Sequence, residues 1–322
     1  MRKLGCFGLL IVIALAVAAF VGLRGWQGAG PLERPTTISI APGTGTVGAA
    51  RQLERAGAIR SSRQFRWFSR FLGGGKGIKA GEYEIPAHAS ASEILDLLES
   101  GKTLQRLVTV PEGWPSVMVA DAINKAPELT GRVEAPREGS VLPDSYSYGR
   151  GDSRQAVLAR MQKAMQTYLA KAWASRKPNI AVKTPEQALV LASIVEKETG
   201  KPSERRTVAA VYGNRLRQGI PLQADPTVIY PITRGRPLGR RIRQSELHAK
   251  NGYNTYASAG LPVGPIANPG RASIDAVLDP APSKALYFVA DGTGRHVFAN
   301  TLAEHNANVQ KWYAIRRSRG EM

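Results

Sequence analysis

Cysteine is almost missing from this chain. Of 322 residues one is a cysteine, Cys6, and it lies in an apolar stretch near the N-terminus. Everything downstream is therefore without disulfides or thiol chemistry and has to be held by its core. Histidine is nearly as scarce. His88, His248, His296 and His305 form no HExxH-type pair, which excludes that kind of catalytic zinc site, and His296 and His305 read as structural. No GxSxG nucleophile elbow occurs, and GGGKG at 73–77 lacks the GxxxxGK[ST] spacing of a phosphate loop. No metal and no cofactor is expected, and if the chain is an enzyme, carboxylate acid/base chemistry is what remains. Acidic charge is the third shortage: 25 Asp and Glu face 44 Lys and Arg, a net charge of +19 and a pI near 10.3. Such a balance describes partners, not fold, and suits an anionic surface: nucleic acid, phospholipid or an acidic wall polymer.

The N-terminus separates those partners. Arg2 and Lys3 precede CFGLLIVIALAVAAFVGL (6–23), which carries no charge and is closed by Arg24. Its 18 residues reach the range of about 17–25 that spans a bilayer. A cleaved signal peptide is the rival, with AVAA (16–19) as its small residues. The length favours an uncleaved single-pass anchor in the inner (cytoplasmic) membrane, with residues 1–5 cytoplasmic and the remainder exported. Export argues against nucleic acid as partner.

Residues 24–36 are rich in Gly and Pro and are expected to be a linker. TISIAPG (37–43) alternates like a strand, and TVGAARQLERAGAI (46–59) has helical spacing through Val47, Ala50, Leu53 and Ala56. A similar strand–turn–helix unit recurs at 107–123. RQFRWFSRF (63–71) reads as an amphipathic helix with Phe65, Phe68 and Phe71 inward. GEYEI (81–85) reads as a strand, and the helix over 90–101 opens on a Ser90/Glu93 capping box and stops at Gly101. From 136 the texture changes to a loop, a long helix over 153–174, two further helices, an irregular Pro/Gly/Tyr-rich stretch at 219–271, a hairpin around Gly292–Gly294 and a last helix from Thr301. Irregular stretches of that length tend to line sites. The fold class expected is α+β, with a small α/β subdomain over 37–135 and a mixed α+β domain over 136–322.

The helix over 185–199 is the most informative. Thr184 can cap it, Pro185 suits its first position, Gln187 completes a capping box and Gly200 stops it. It is apolar nearly all round, yet Glu196, Lys197 and Glu198 occupy its last turn. Glu196 stacks on Leu189, Ala192 and Ser193, while Glu198 lies on the opposite side with Leu191 and Ile194. Lys197 is placed to reach solvent. A carboxylate at a helix C-terminus among apolar groups has its charged form disfavoured. That is the tuning a general acid needs, and on these grounds Glu196 is the candidate acid; a structural glutamate bonded to backbone, Arg205 or Arg215 is the alternative. Glycoside cleavage normally uses two carboxyls. Glu198, Asp225, Asp144 and Glu138 are candidates for the second, and a route with a single carboxyl exists if the sugar's own hydroxyl is the nucleophile.

Several segments together resemble the endolytic murein transglycosylases of the YceG-like (MltG-type) family: LASIVEKETG (191–200), ERRTVAAVYGNRLRQGIPLQADPTVIY (204–230), YNTYASAGLPVGPIANPG (253–270), ALYFVADGTGRHVF (285–298) and EHNANV (304–309), with EGSVLPDSY (138–146) and GEYEI more weakly upstream. The resemblance implies a LysM-like N-terminal subdomain and a catalytic domain facing the wall. It implies cleavage of the MurNAc–GlcNAc bond of nascent peptidoglycan strands with a 1,6-anhydro end, as a strand terminase. It assigns Glu196 as catalytic and Gln223, Asp225, Asn254 and Tyr256 as substrate-positioning, to which Ser193 and Glu138 are added as substrate contacts. Glycan strands, the membrane and peptidoglycan synthases are the partners expected. Ser140 departs from the bulkier residue usual in the family, and TRGRPLGRRIRQ (233–244) is a basic run. A non-catalytic wall-binding scaffold is the competing expectation from another class.

Overall fold

The computed structural model describes residues 12–13, 16–17 and 20–321. Most of the apolar run 6–23 lies outside them, and no helix among the described residues is long and apolar enough to cross a membrane. The chain forms mixed α+β structure in two compact units, the first ending at Arg106 and the second beginning at Leu107.

In the first unit, strands β1 (Thr36–Ile40) and β2 (Gly81–Ile85) pair antiparallel, with Ile38 opposite Tyr83. Helices α1 (Thr46–Arg55), α2 (Ser62–Leu72) and α3 (Ala91–Ser100) pack with them. Ile40, Leu53, Phe65, Tyr83, Ile85, Ile94 and Leu98 make the core. The ends of α3 follow their chemistry: Ser90 and Glu93 form the reciprocal cap, and Gly101 takes the left-handed conformation at φ 72° that a side chain would resist. Two expectations need correction. Residues 24–36 are not a plain linker, because 20–27 are helical and Trp26 and Leu32 are buried in this core. In α2, Phe65 is buried and Phe68 half-buried, but Phe71 is exposed together with Trp67. The helix carries aromatics on two faces, and spacing alone does not say which face is covered.

In the second unit, β3 (Arg106–Thr109) pairs with β4 (Ser145–Tyr148). Helices α4 (Ser116–Lys125) and α5 (Arg154–Ala174) close over them. Val108, Val110, Val119 and Ile123 share a cluster with Val157, Leu158 and Met161. The compact units divide at 106/107 where a boundary at 135/136 is expected from sequence, and the strand–turn–helix at 107–125 buries its apolar face on the long helix that follows. The second cluster surrounds α6 (Pro185–Glu198), α7 (Pro202–Arg217) and α10 (Arg271–Leu278), joined by the short helices α8 (Asp225–Thr233) and α9 (Gln244–Leu247). Strands β5 (Tyr287–Ala290) and β6 (His296–Ala299) form the expected hairpin, and α11 (Leu302–Ser318) packs on it. His296 in β6 faces the Glu204 carboxylate at 2.8 Å, and His305 in α11 stacks on Tyr287.

Candidate active site

Helix α6 positions the site. At its N-terminus the Thr184 hydroxyl accepts from the Gln187 N–H as expected, but the capping box does not close: the Gln187 side-chain carbonyl accepts from the Lys183 N–H at 2.8 Å, one residue before the cap. Ala188 through Val195 are all buried. A helix so enclosed has little freedom to rotate, so the two glutamates of its last turn are fixed on opposite sides.

On the first side stands Glu196. Its Oε2 accepts from the Gly270 N–H at 2.9 Å, and Oε1 lies 3.8 Å from the Arg205 guanidinium. Its side chain is 6% exposed and that of Arg205 11%. Arg205 comes from α7, while Gly270 belongs to a strut, residues 266–270, that ties this face together. Ser193 donates to the Val190 carbonyl at 2.7 Å and accepts from the Ile266 N–H at 3.0 Å. Asn268 donates to Trp114 O, accepts from the Val141 N–H and exchanges backbone bonds with the 113–114 turn. Its amide also lies 3.3 Å from Glu138. Glu138 accepts from the Ser116 N–H at 2.8 Å and from the Tyr230 hydroxyl at 3.1 Å. Burial pushes the Glu138 carboxyl up, against those hydrogen bonds. Ser193, with no exposure and both functions of its hydroxyl used, is a joint between helix and strut and has no surface to offer a substrate. Beside this face a cleft of about 450 Å³ is lined by Trp114, Met118, Lys197, Ile229, Arg236 and Ile266 among others.

The other side holds Glu198. Burial, with the Asp225 charge second, pushes its carboxyl up to about 7, against a hydrogen bond from Tyr212 and the Arg215 charge. Tyr212 and Arg215 come from α7, three residues apart and so on one face. Arg215 is held by donating to the Leu286 carbonyl at 2.7 Å and the Leu222 carbonyl at 2.8 Å, with its guanidinium over the Tyr287 ring.

Asp225 reaches this place through a stitched pair of loops. The Gln223 N–H donates to Thr255 O, the Ala224 N–H to the Thr255 hydroxyl, and the hydroxyls of Thr227 and Thr255 lie 2.8 Å apart. Gln223 takes a φ of 55°, a left-handed conformation unusual for a residue with a side chain. It sets Asp225 as the first residue of α8, where the helix dipole favours a negative group. The Tyr256 hydroxyl donates to Asp225 Oδ1 at 2.6 Å. Burial is the largest cause raising the Tyr256 phenol, with the Asp225 bond next. The Gln223 side chain is exposed, and its Oε1 lies 3.5 Å from Arg215.

Of the residues singled out from sequence, the structure brings Asp225 and Tyr256 beside Glu198, with Gln223 reaching Arg215, and leaves Glu196, Ser193 and Glu138 on the strut side. Asn254 belongs behind the first group without facing outward. It is 1% exposed, its amide donates to the carbonyls of Glu246, Leu247 and Ala249, and its Oδ1 accepts from the Tyr256 N–H. Its part is to clamp the loop that presents Tyr256. Tyr212 escaped the sequence reading, although the same helical spacing that ranked the glutamates places it with Arg215.

Known proteins resemble this chain over most of its length. Residues 38–311 match the model of the YceG-like family. An endolytic murein transglycosylase of Bacillus subtilis is 27% identical over 90% of this chain and 89% of its own length. One from Streptococcus pneumoniae is 26% identical over 86% of this chain, which spans 58% of that longer relative. The crystal structure of a putative yceG-like protein from Listeria monocytogenes, 27% identical, superposes with a TM-score of 0.54 over 85% of this chain and 98% of that one. The chain belongs to the YceG-like family.

Proposed function

We propose that this protein is a peptidoglycan lytic transglycosylase that cleaves the MurNAc–GlcNAc bond within glycan strands and leaves a 1,6-anhydro end, and that Glu198 is its acid. The observation that carries this reading is a desolvated carboxyl with a pKa of about 7, set beside the charge of Asp225 on a face lined by Tyr256 and Gln223. The names of the relatives, endolytic murein transglycosylases, support the substrate class. A carboxyl near pH 7 can both give and take a proton at neutral pH. Glu198 protonates the glycosidic oxygen, and the C1–O bond breaks with its electrons going to the leaving sugar. The resulting oxocarbenium-like centre faces the negative charge of Asp225. Glu198, now a carboxylate, takes the proton of the C6 hydroxyl, whose oxygen closes on C1. One carboxyl thus serves both steps, and the sugar supplies the nucleophile. Tyr212 and Arg215 hold Glu198 in place, and the outward amide of Gln223 is available to a sugar hydroxyl or N-acetyl group.

This assignment moves the acid from Glu196, the sequence-based choice, to the next glutamate along. Glu196 has one oxygen on a backbone N–H and the other toward Arg205, which suits a structural anchor. The wider reading keeps 6–23 as a membrane anchor, places the second unit outside the cytoplasmic membrane and treats the first unit as a LysM-like piece that holds glycan near synthases. Digesting purified peptidoglycan with the protein and weighing the products tests the chemistry. Anhydro ends are expected; ends carrying added water would make it a hydrolase, and no cleavage would leave the scaffold reading.

A further inference from the structure

The first unit carries a helix whose outer face has no role in the proposed cleavage. At ~100° per residue, Arg63, Arg66, Trp67, Arg70 and Phe71 of α2 share one side, and Phe65 and Phe68 the other. The inner side is covered. The outer side is not: Trp67 is 60% and Phe71 64% exposed, in ring contact with each other at 4.9 Å, and Leu72 at the helix end is 52% exposed. Arg63, Arg66 and Arg70 are exposed, and no ion pair among the described residues engages them. A shallow groove of about 630 Å³ continues this face past Val47. Aromatic side chains left in water beside arginines are the composition of a helix that lies in a lipid headgroup layer: the rings enter the acyl boundary and the guanidinium groups meet lipid phosphates.

A second, independent contact says which surface lies near. The helical residues 20–27 continue directly from the apolar run 6–23. They are seated on the inner side of this same helix, with Trp26 stacked on Phe68 at 5.4 Å and tilted on Phe65 at 5.7 Å. The chain leaving the apolar run is therefore fastened to α2 by three aromatic rings. We infer that the outer face of α2 docks on the surface of an anionic phospholipid bilayer, with Trp67 and Phe71 inserted and Arg63, Arg66 and Arg70 on the headgroups. The inference rests on the membrane-anchor reading for its geometry but not on the cleavage chemistry.

The test uses the full chain reconstituted in vesicles of phosphatidylcholine with or without phosphatidylglycerol, each with acyl chains brominated to quench nearby tryptophan. The readout is the difference in quenching between wild type and Trp67→Phe, which isolates Trp67 from the other four tryptophans. In anionic bilayers wild type is expected to lose more emission than Trp67→Phe. Each arginine at an anionic surface favours docking roughly fivefold. Replacing Arg63, Arg66 and Arg70 together by Gln should then lower the ratio of docked to undocked helix by about 100-fold and erase the difference. A Trp67→Phe/Phe71→Trp variant should restore it. Equal quenching of wild type and Trp67→Phe in anionic bilayers, with unchanged circular dichroism, would overturn the inference and leave the face to a protein partner. A difference that persists undiminished without phosphatidylglycerol would overturn the lipid-charge part.

Discussion

Two glutamates two residues apart end up in opposite chemical situations. Glu196 is folded into a strut: a backbone N–H takes one oxygen, an arginine flanks the other, and the surrounding groups are joined to one another through Ser193, Asn268 and Glu138. Glu198 is surrounded by groups that do not neutralise it: a phenol, a neighbouring carboxylate and a guanidinium already occupied by carbonyls. The first arrangement spends a carboxylate on stability. The second keeps one short of compensation, and that is the state from which proton transfer is easy. Burial alone does not separate the two, since both are largely enclosed. What separates them is the kind of neighbour: a backbone N–H and an arginine for Glu196, a phenol and the charge of a second carboxylate for Glu198.

The sharpest way to break the comparison is to neutralise each in turn. Glu198→Gln should lower cleavage by at least about 100-fold, the scale of a lost acid/base group. Its effect on stability should have the opposite sign. A carboxyl raised to about 7 from 4.5 binds its proton more tightly in the folded state, so folding stability falls as pH rises from 4.5 to 7. Gln removes that penalty, and above pH 7 the variant should be more stable than wild type by roughly 1–3 kcal/mol in urea melts. Glu196→Gln should do the reverse. It should cost about 1–3 kcal/mol by leaving Arg205 enclosed without its anion, while activity per folded molecule stays within a few-fold of wild type. If instead Glu196→Gln is dead and folded while Glu198→Gln still cleaves, the acid is Glu196 after all.

Asp225 sharpens the comparison from outside. Its charge raises the Glu198 carboxyl. In Asp225→Asn the charged form of Glu198 is easier to reach, so the pH at which cleavage falls on the alkaline side should move down by about one unit. The turnover at the optimum should drop as well, since the developing cation loses its negative neighbour. A profile that keeps its shape would show that Asp225 does not communicate with the acid.

Much of this was legible in the residues. The caps of α3 and α6, the strand at 81–85 and the opposite placement of the two glutamates follow from spacing and local hydrogen-bond chemistry, which act over a few residues. What was not legible depended on distant partners. The setting of Glu198, on which the proposal of it as the acid rests, needs Tyr212, Arg215 and Asp225 brought in from α7 and α8. The demotion of Asn254 needs three carbonyls of 246–249 folded onto its amide. The exposure of Phe71 and the burial of Trp26 have the same origin: an aromatic in a helix or a Gly-rich stretch does not state which neighbour will cover it. The position of 107–125 with the second unit was likewise hidden, because a strand–turn–helix repeats the pattern of the first unit but buries its face elsewhere.

The smallest expected effect probes the groups that hold Glu198. Tyr212 is buried at 2% exposure, and its hydroxyl donates to the Glu198 carboxylate, which lowers the pKa that burial and Asp225 raise. Removing the hydroxyl while keeping the ring, as in Tyr212→Phe, withdraws a hydrogen bond that favours the charged form. The Glu198 pKa should therefore rise, and the alkaline fall in cleavage should move to higher pH by a fraction of a unit, opposite in sign to Asp225→Asn. The ring keeps its edge-on packing against Phe288 at 5.9 Å between centroids, so the fold should lose no more than about 1 kcal/mol. The opposite signs matter more than either size. A general loosening of the site would move both profiles the same way, whereas a carboxyl tuned by one neighbour upward and another downward has to split them. Measuring the two variants in parallel, with Glu196→Gln as the reference that moves neither, tests whether the second glutamate carries the proton.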